Sequence, residues 1–183
     1  MPAGVPALVL QPDDLSRLAA GEAVVHIGPA AAPADGEINA AIDIPASPAR
    51  VWAVMVDCAR APAFMANLKS CKVLQAGPNG AWDAREHRVQ WLSILPEVRS
   101  VFRSDYVAET SIRFRRVEGD LKYLDGEWRL EPLKGGAATR LTYEARVGFH
   151  SLVPSFMVRS SLESDVPKLL QAIKTEVKRS PRR

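Results

Sequence analysis

The sequence predicts an α+β domain in which a curved antiparallel sheet of seven strands wraps around one long C-terminal helix. Two observations carry this. Between Glu37 and Phe149, apolar residues recur at every second position in run after run, each ended by a turn signal, as in half-buried strands. From Pro154 to Val177 the step changes to three and four, and Leu162, Val166, Leu169, Leu170, Ile173 and Val177 fall along one stripe. Consecutive antiparallel strands joined by short turns form a meander with one dry face. An amphipathic helix then has to cover that face.

Taken in order, residues 1–36 read as an arm. Asp13 to Gly21 has acids in front and glycine behind, the signature of a short helix. Val24 to Ile27 suits a small edge strand, and Pro29 to Gly36 a linker. The main domain spans 37–179. Ile38, Ala40, Ile42 and Ile44 share one face of its first strand, which Pro45 stops. Ser47-Pro48 opens a helix with the cap first and proline in the first turn, and Val51, Trp52, Met55 and Val56 form its buried face. Cys58 to Met65 is at most a second short helix.

The remaining strands are Leu68–Gln75, Ala81–Trp91, Val98–Val107, Ser111–Glu118, Glu127–Leu133 and Thr139–Phe149. Turns fall at Gly77-Pro78-Asn79-Gly80, at a bend around Asp125-Gly126, and at Gly135-Gly136. In the last helix Pro167 removes a backbone hydrogen bond, which predicts a kink or two helices end to end. Glu163, Lys168, Lys174, Glu176 and Lys178 fall off the apolar stripe, where they can stay wet. Residues 180–183 end the chain as a frayed basic tail.

Composition excludes several classes. A chain of 183 residues, 47% hydrophobic and 25% charged, is an ordinary globular domain. No apolar run approaches the ~18 residues needed to span a bilayer, so only a transient membrane contact is compatible. The 24 basic and 21 acidic residues give a net charge of only +3. Arg99, Arg103, Arg113, Arg115, Arg140 and Arg146 interleave with Asp105, Glu131 and Glu144, which reads as cross-strand pairing on a wet face rather than a nucleic-acid surface. Three scattered histidines and two cysteines lack metal-ligand spacing, and no phosphate-cradling loop or nucleophile elbow occurs, so no metal or cofactor is expected. Met1 to Leu10 carries no signal-peptide pattern. Cys58 and Cys71 flank a compact segment. A bridge in an oxidising compartment, as in a periplasmic or secreted protein, and two buried thiols in a cytoplasmic one both fit.

Two blocks carry a family resemblance. Ile42-Asp43-Ile44-Pro45-Ala46-Ser47-Pro48-Ala49-Arg50-Val51-Trp52 resembles the opening of the START/polyketide-cyclase (SRPBCC) superfamily, whose members begin with a strand, a proline corner and a "VW" helix. Gly119, Leu124, Gly126 and Trp128 match the spacing of a second segment, nearest that of the coenzyme Q-binding and cyclase/dehydratase branch. There Asp120-Leu121 replaces the usual Pro-Phe and Leu130 the usual Phe. The resemblance covers about Glu37 to Val177 and implies the helix-grip fold. It also implies a cavity between sheet and long helix for a lipid, quinone, isoprenoid or polyketide-like ligand.

Strand parity names what would line such a cavity. Trp91 brings His87 and Arg85 to its own face, and Phe114 brings Arg116 and Glu118. Phe102 shares a face with Tyr106 and Ser104. Trp128, Tyr143, Phe156 and Met157 complete apolar walls, with His87, Arg116 and Glu118 as polar exceptions. Aromatic residues at these positions equally suit a plain core, and Arg116 with Glu118 a simple ion pair at the sheet's mouth. The expected function is binding or carriage of a hydrophobic small molecule, with His87 or Arg116 needed for affinity. A cyclase or dehydratase is the alternative, with His87, Tyr106 and Tyr143 as acid/base candidates.

Overall fold

The structure, a computed structural model, describes residues 8–90, 97–150 and 155–180; side chains of 155–158 lie outside that description. Alternation builds its core. In β2 (Gly36–Ile44), Ile38, Ala40, Ile42 and Ile44 are all buried. After Pro45 the chain enters α2 (Pro48–Met55), where Ser47 sits extended at the cap position without a side-chain bond. Pro48, with its fixed φ and missing N–H, suits the first turn, and Val51 and Val54 face the core. A single turn follows at Ala61–Ala63.

Five hairpins then lay down β3 (Leu68–Ala76), β4 (Trp82–Val89), β5 (Val98–Val107), β6 (Ser111–Gly119), β7 (Tyr123–Leu133) and β8 (Ala138–Gly148). All neighbours are antiparallel. The chain closes with α3 (Ser155–Arg179), whose Val166, Leu170, Ile173 and Val177 pack on the inner faces of β2 and β8. This is the helix-grip arrangement.

The sheet has eight strands rather than seven. β1 (Val24–Gly28) pairs along β2 from Val24 opposite Ala41 to Gly28 opposite Glu37, and the order is β1-β2-β8-β7-β6-β5-β4-β3. Before it, α1 (Pro12–Ala19) lays Leu18 on Val24 and Ala41, a small second core on the outer face. Ala41 is therefore as buried as the inner-face residues beside it.

Other differences have local causes. The bend foreseen at Asp125-Gly126 is absent, because the chain reverses earlier and β7 runs straight through those residues. Gly126 is there for closeness instead: a Cβ would stand 2.4 Å from the Glu144 carbonyl oxygen and 2.6 Å from the Phe114 ring. α3 continues unbroken through Pro167. Lys174 and Glu176, expected to stay wet, are buried. Lys174 donates to the Gly21 carbonyl at 2.8 Å, and Glu176 pairs with Arg60. Arg50, inside the motif that opens α2, donates to the carbonyls of Val177 and Ser180 at 2.9 Å each, placing a cation on the C-terminal end of α3.

Cys58 and Cys71 are joined by a disulfide with Cα atoms 5.4 Å apart, tying the segment after α2 to β3. Closing a loop of this size contributes about 3 kcal/mol. No helix among the described residues is long and apolar enough to cross a membrane.

Candidate functional site

The inner face changes character along the sheet. Near β2 and β8 it is packed solid, whereas near β4, β5 and β6 a cavity of about 100 Å³ remains under α2 and α3. Ile112 and Phe114 from β6, Phe102 from β5, Trp128 from β7 and Leu169 and Ile173 from α3 supply its apolar walls. Met55 from α2, with Ala61, Phe64 and Met65 after it, closes another side. The aromatic rings brace one another: Phe114 meets Phe102 edge-on at 6.3 Å, and Trp128 stacks on Tyr143 at 4.0 Å.

Into this apolar space β4 and β5 project polar groups. Arg85 and His87 on β4 and Ser104 and Tyr106 on β5 line it, and Asp83, two residues before Arg85 on the same face of β4, stands behind them. Arg85 donates through Nε to Asp83 Oδ1 at 3.0 Å, and through Nη2 to Asp83 Oδ2 and Tyr106 Oη. Tyr106 in turn donates to Asp83 Oδ2 at 2.8 Å. Asp83 and Arg85 are both buried, and each is the other's compensation, since an isolated buried charge is costly. Burial, reinforced by the bond to Asp83, pushes the Tyr106 hydroxyl well above the ordinary phenol range. Burial alone lifts Tyr143 to about 12.

His87 is different. Its ring meets Phe102 edge-on at 4.7 Å, but its buried Nε2 has no hydrogen-bond partner among the described residues. Burial first, then the nearby Arg85 charge, lower its pKa from 6.5 to about 4, so it is neutral at pH 7.

The structure thus brings His87, Phe102, Tyr106, Phe114 and Trp128 together around one cavity, with Tyr143 stacked behind. It separates Arg116 and Glu118 from it. A β-bulge leaves Val117 without an opposite residue, so Phe102 faces Arg116 while Val101 faces Glu118. That extra residue reverses parity, and Glu118 emerges on the outer face, 58% exposed, bonded to Arg99 at 2.7 Å. Arg116 spends its guanidinium on the β6–β7 turn, donating to the carbonyls of Leu121 and, at 3.0 Å, Gly119. Neither pairs with the other. Trp91 lies outside the described residues, as do the side chains of Phe156 and Met157.

The profile of the family described as "Polyketide cyclase / dehydrase and lipid transport" matches residues 44–174. The chain belongs to that family. Solved structures in the START and cyclase groups share the family fold. The ZhuI aromatase/cyclase of a Streptomyces species superposes with a TM-score of 0.68 at 16% identity, covering 84% of this chain and 95% of that one. A START superfamily protein from Mycobacterium smegmatis gives 0.69 at 19%, over 78% and 97%. A STAR-related lipid transfer protein from Xanthomonas axonopodis gives 0.63 at 15%, over 84% and 98%. At such identities the likeness is one of fold, and it does not single out the coenzyme Q-binding branch. Among curated proteins none matches the sequence.

Two glycines of the family block now have physical reasons. Gly126 lets Phe114 lie flat against β7, and Gly119 turns with φ +112° where a Cβ would meet the Arg99 carbonyl oxygen at 2.4 Å. The residue that parity reasoning missed is Asp83, two positions beyond Arg85 on the face already identified for His87. The alternation Asp83-x-Arg85-x-His87 was the available signal. Among the described residues no cluster of three His, Cys, Asp or Glu forms a metal site.

Proposed function

We propose that this protein binds and carries a hydrophobic or amphipathic small molecule, lipid, quinone, isoprenoid or polyketide-like, between the sheet and α3. The observation that carries this is an apolar cavity holding buried polar groups, in a family described by cyclisation and lipid transport. The names of the neighbours, a lipid transfer protein and an aromatase/cyclase, agree with a ligand of that kind. The cavity of about 100 Å³ is below the ~300–1,000 Å³ of drug-sized sites. The part of the ligand it takes is therefore a chain end. Native mass spectrometry of the purified protein is expected to find a co-purifying hydrophobic compound on the wild type and none on Ser104→Leu, which fills the cavity. A bare wild type, or an equally loaded variant, sinks the proposal.

One observation favours the cyclase or dehydratase reading: Tyr106, on the cavity wall, is hydrogen-bonded to Asp83 behind it, an acid/base pair. Against it, Arg85 occupies both carboxylate oxygens, and the hydroxyl holds its proton tightly. Turnover of a β-keto thioester by wild type, abolished in Asp83→Asn, would establish catalysis; inertness of both leaves carriage. The Cys58–Cys71 bridge supports residence in an oxidising compartment. Free-thiol titration of protein purified from its own cell under alkylating conditions should find neither cysteine reactive.

A further inference from the structure

The polar groups of the cavity divide into a closed set and an open set. Asp83, Arg85 and Tyr106 form the closed one: three donor contacts converge on the carboxylate, and the single positive charge is matched by the single negative one. Arg85 is the only charged residue among the described cavity walls. The open group on the cavity wall is His87; Ser100 stands opposite it across β4 and β5, behind the wall. Ser100 shares its strand face with Phe102 and Ser104. Among the described residues, His87 Nε2 and Ser100 Oγ are both buried without a hydrogen-bond partner.

Leaving such a group unpaired costs about 1–3 kcal/mol, so His87, on the wall, favours a guest that brings the missing atom. In a neutral imidazole Nε2 either donates or accepts, according to the tautomer. A hydroxyl satisfies either form, and a carbonyl oxygen the N–H form. A carboxylate or phosphate does not, because Arg85, the only charged residue among the described cavity walls, is already neutralised by Asp83, and an uncompensated buried anion is costly.

We propose that the cavity selects an uncharged ligand bearing a terminal hydroxyl or carbonyl oxygen, seated at His87, and rejects the anion of the same chain length. This rests on the ligand-binding reading above and narrows it to neutral alcohols and ketones, against fatty acids and phospholipid headgroups. Burial keeps His87 in the neutral form the fit requires. The small volume agrees, since a cavity that admits benzene measures about 150 Å³. The oxygenated end and its first few carbons are what fit.

Hexan-1-ol and hexanoate, compared at pH 7.5 by titration calorimetry, test the selection. The alcohol should bind at least ~100-fold more tightly than the carboxylate, whose desolvation finds no partner. His87→Leu should weaken hexan-1-ol about 10-fold, one lost hydrogen bond at 1.4 kcal/mol per decade. His87→Gln, which keeps a donor and an acceptor, should retain the preference and guards against a folding defect in the leucine variant. Equal binding of alcohol and carboxylate overturns the charge selection while leaving carriage intact. Unchanged alcohol affinity in His87→Leu overturns the seat. Binding of neither compound overturns the ligand-binding reading and this inference with it.

Discussion

Arginine–carboxylate pairs stand on both faces of the sheet, made of the same residue types and held at similar distances. On the outer face Arg99 bonds Glu86 and Glu118, Arg140 bonds Asp43 at 2.8 and 2.9 Å, and Arg146 bonds Asp125. On the inner face Asp83 and Arg85 make the same contacts with side chains only 11% and 8% exposed. The outer pairs alternate with apolar inner residues, and their side chains are 58% exposed at Glu118 but only 17% and 21% at Arg140 and Asp43. The inner pair is the least exposed of these. Chemistry is shared and environment is not, so a charge pair points to a ligand only where the sheet turns it away from solvent.

The largest expected consequence of this contrast lies at Asp83. Removing one member of a buried pair leaves the other uncompensated, at a cost of about 3–5 kcal/mol. Asp83→Ala should therefore lower stability by about 4 kcal/mol in urea denaturation. The double variant Asp83→Leu with Arg85→Leu should recover most of that, because well-packed apolar residues often replace a buried pair without loss. A single variant as stable as wild type would mean that Arg85 finds other partners and that the inner face is no drier than the outer.

A smaller effect follows from His87. Its pKa falls from 6.5 to about 4 on folding, so between those values the unfolded chain binds a proton that the folded one refuses. Stability is fully present above pH 6.5 and is lost as pH falls toward 4, by about 1.4 kcal/mol per unit and about 3 kcal/mol in all. Below that, carboxylates such as Glu86, held down by its bonds to Arg99 and Arg88, contribute to wild type and variant alike. His87→Leu should flatten the curve from pH 6.5 to 4.5 by about 2–3 kcal/mol relative to wild type. Parallel curves would show that His87 is hydrated or paired.

Most of the sheet was legible because its signals are local. Alternation placed Ile38 to Ile44, and the three-four stripe placed Val166 to Val177, since each pattern needs only neighbours in sequence. What escaped depends on distant partners. Ala41 is buried by Leu18 of α1. Lys174 is buried by the loop at Gly21, and Glu176 takes Arg60. For the site, parity placed His87, Phe102, Phe114 and Trp128 on one face, and it would have placed Asp83 had it been followed two residues further. It failed at Glu118, because a single bulged residue reverses faces and Arg116-Val117 carries no glycine or other local sign of it.

Glu118 gives the smallest expected effect and the sharpest check on that bulge. With Val117 as the extra residue, the carboxylate hangs over the outer face beside Arg99, which keeps Glu86 as a second partner. Exposed pairs of this kind contribute about 0–1 kcal/mol. Glu118→Ala should thus change stability by less than about 1 kcal/mol, with the difference shrinking as salt screens the pair, and hexan-1-ol affinity should not move. Had the strand stayed regular, Glu118 would share the face of Phe114, and its loss would alter the cavity's charge and its choice between alcohol and carboxylate. A changed ligand preference in this variant would place the carboxylate inside and put the bulge in the wrong position.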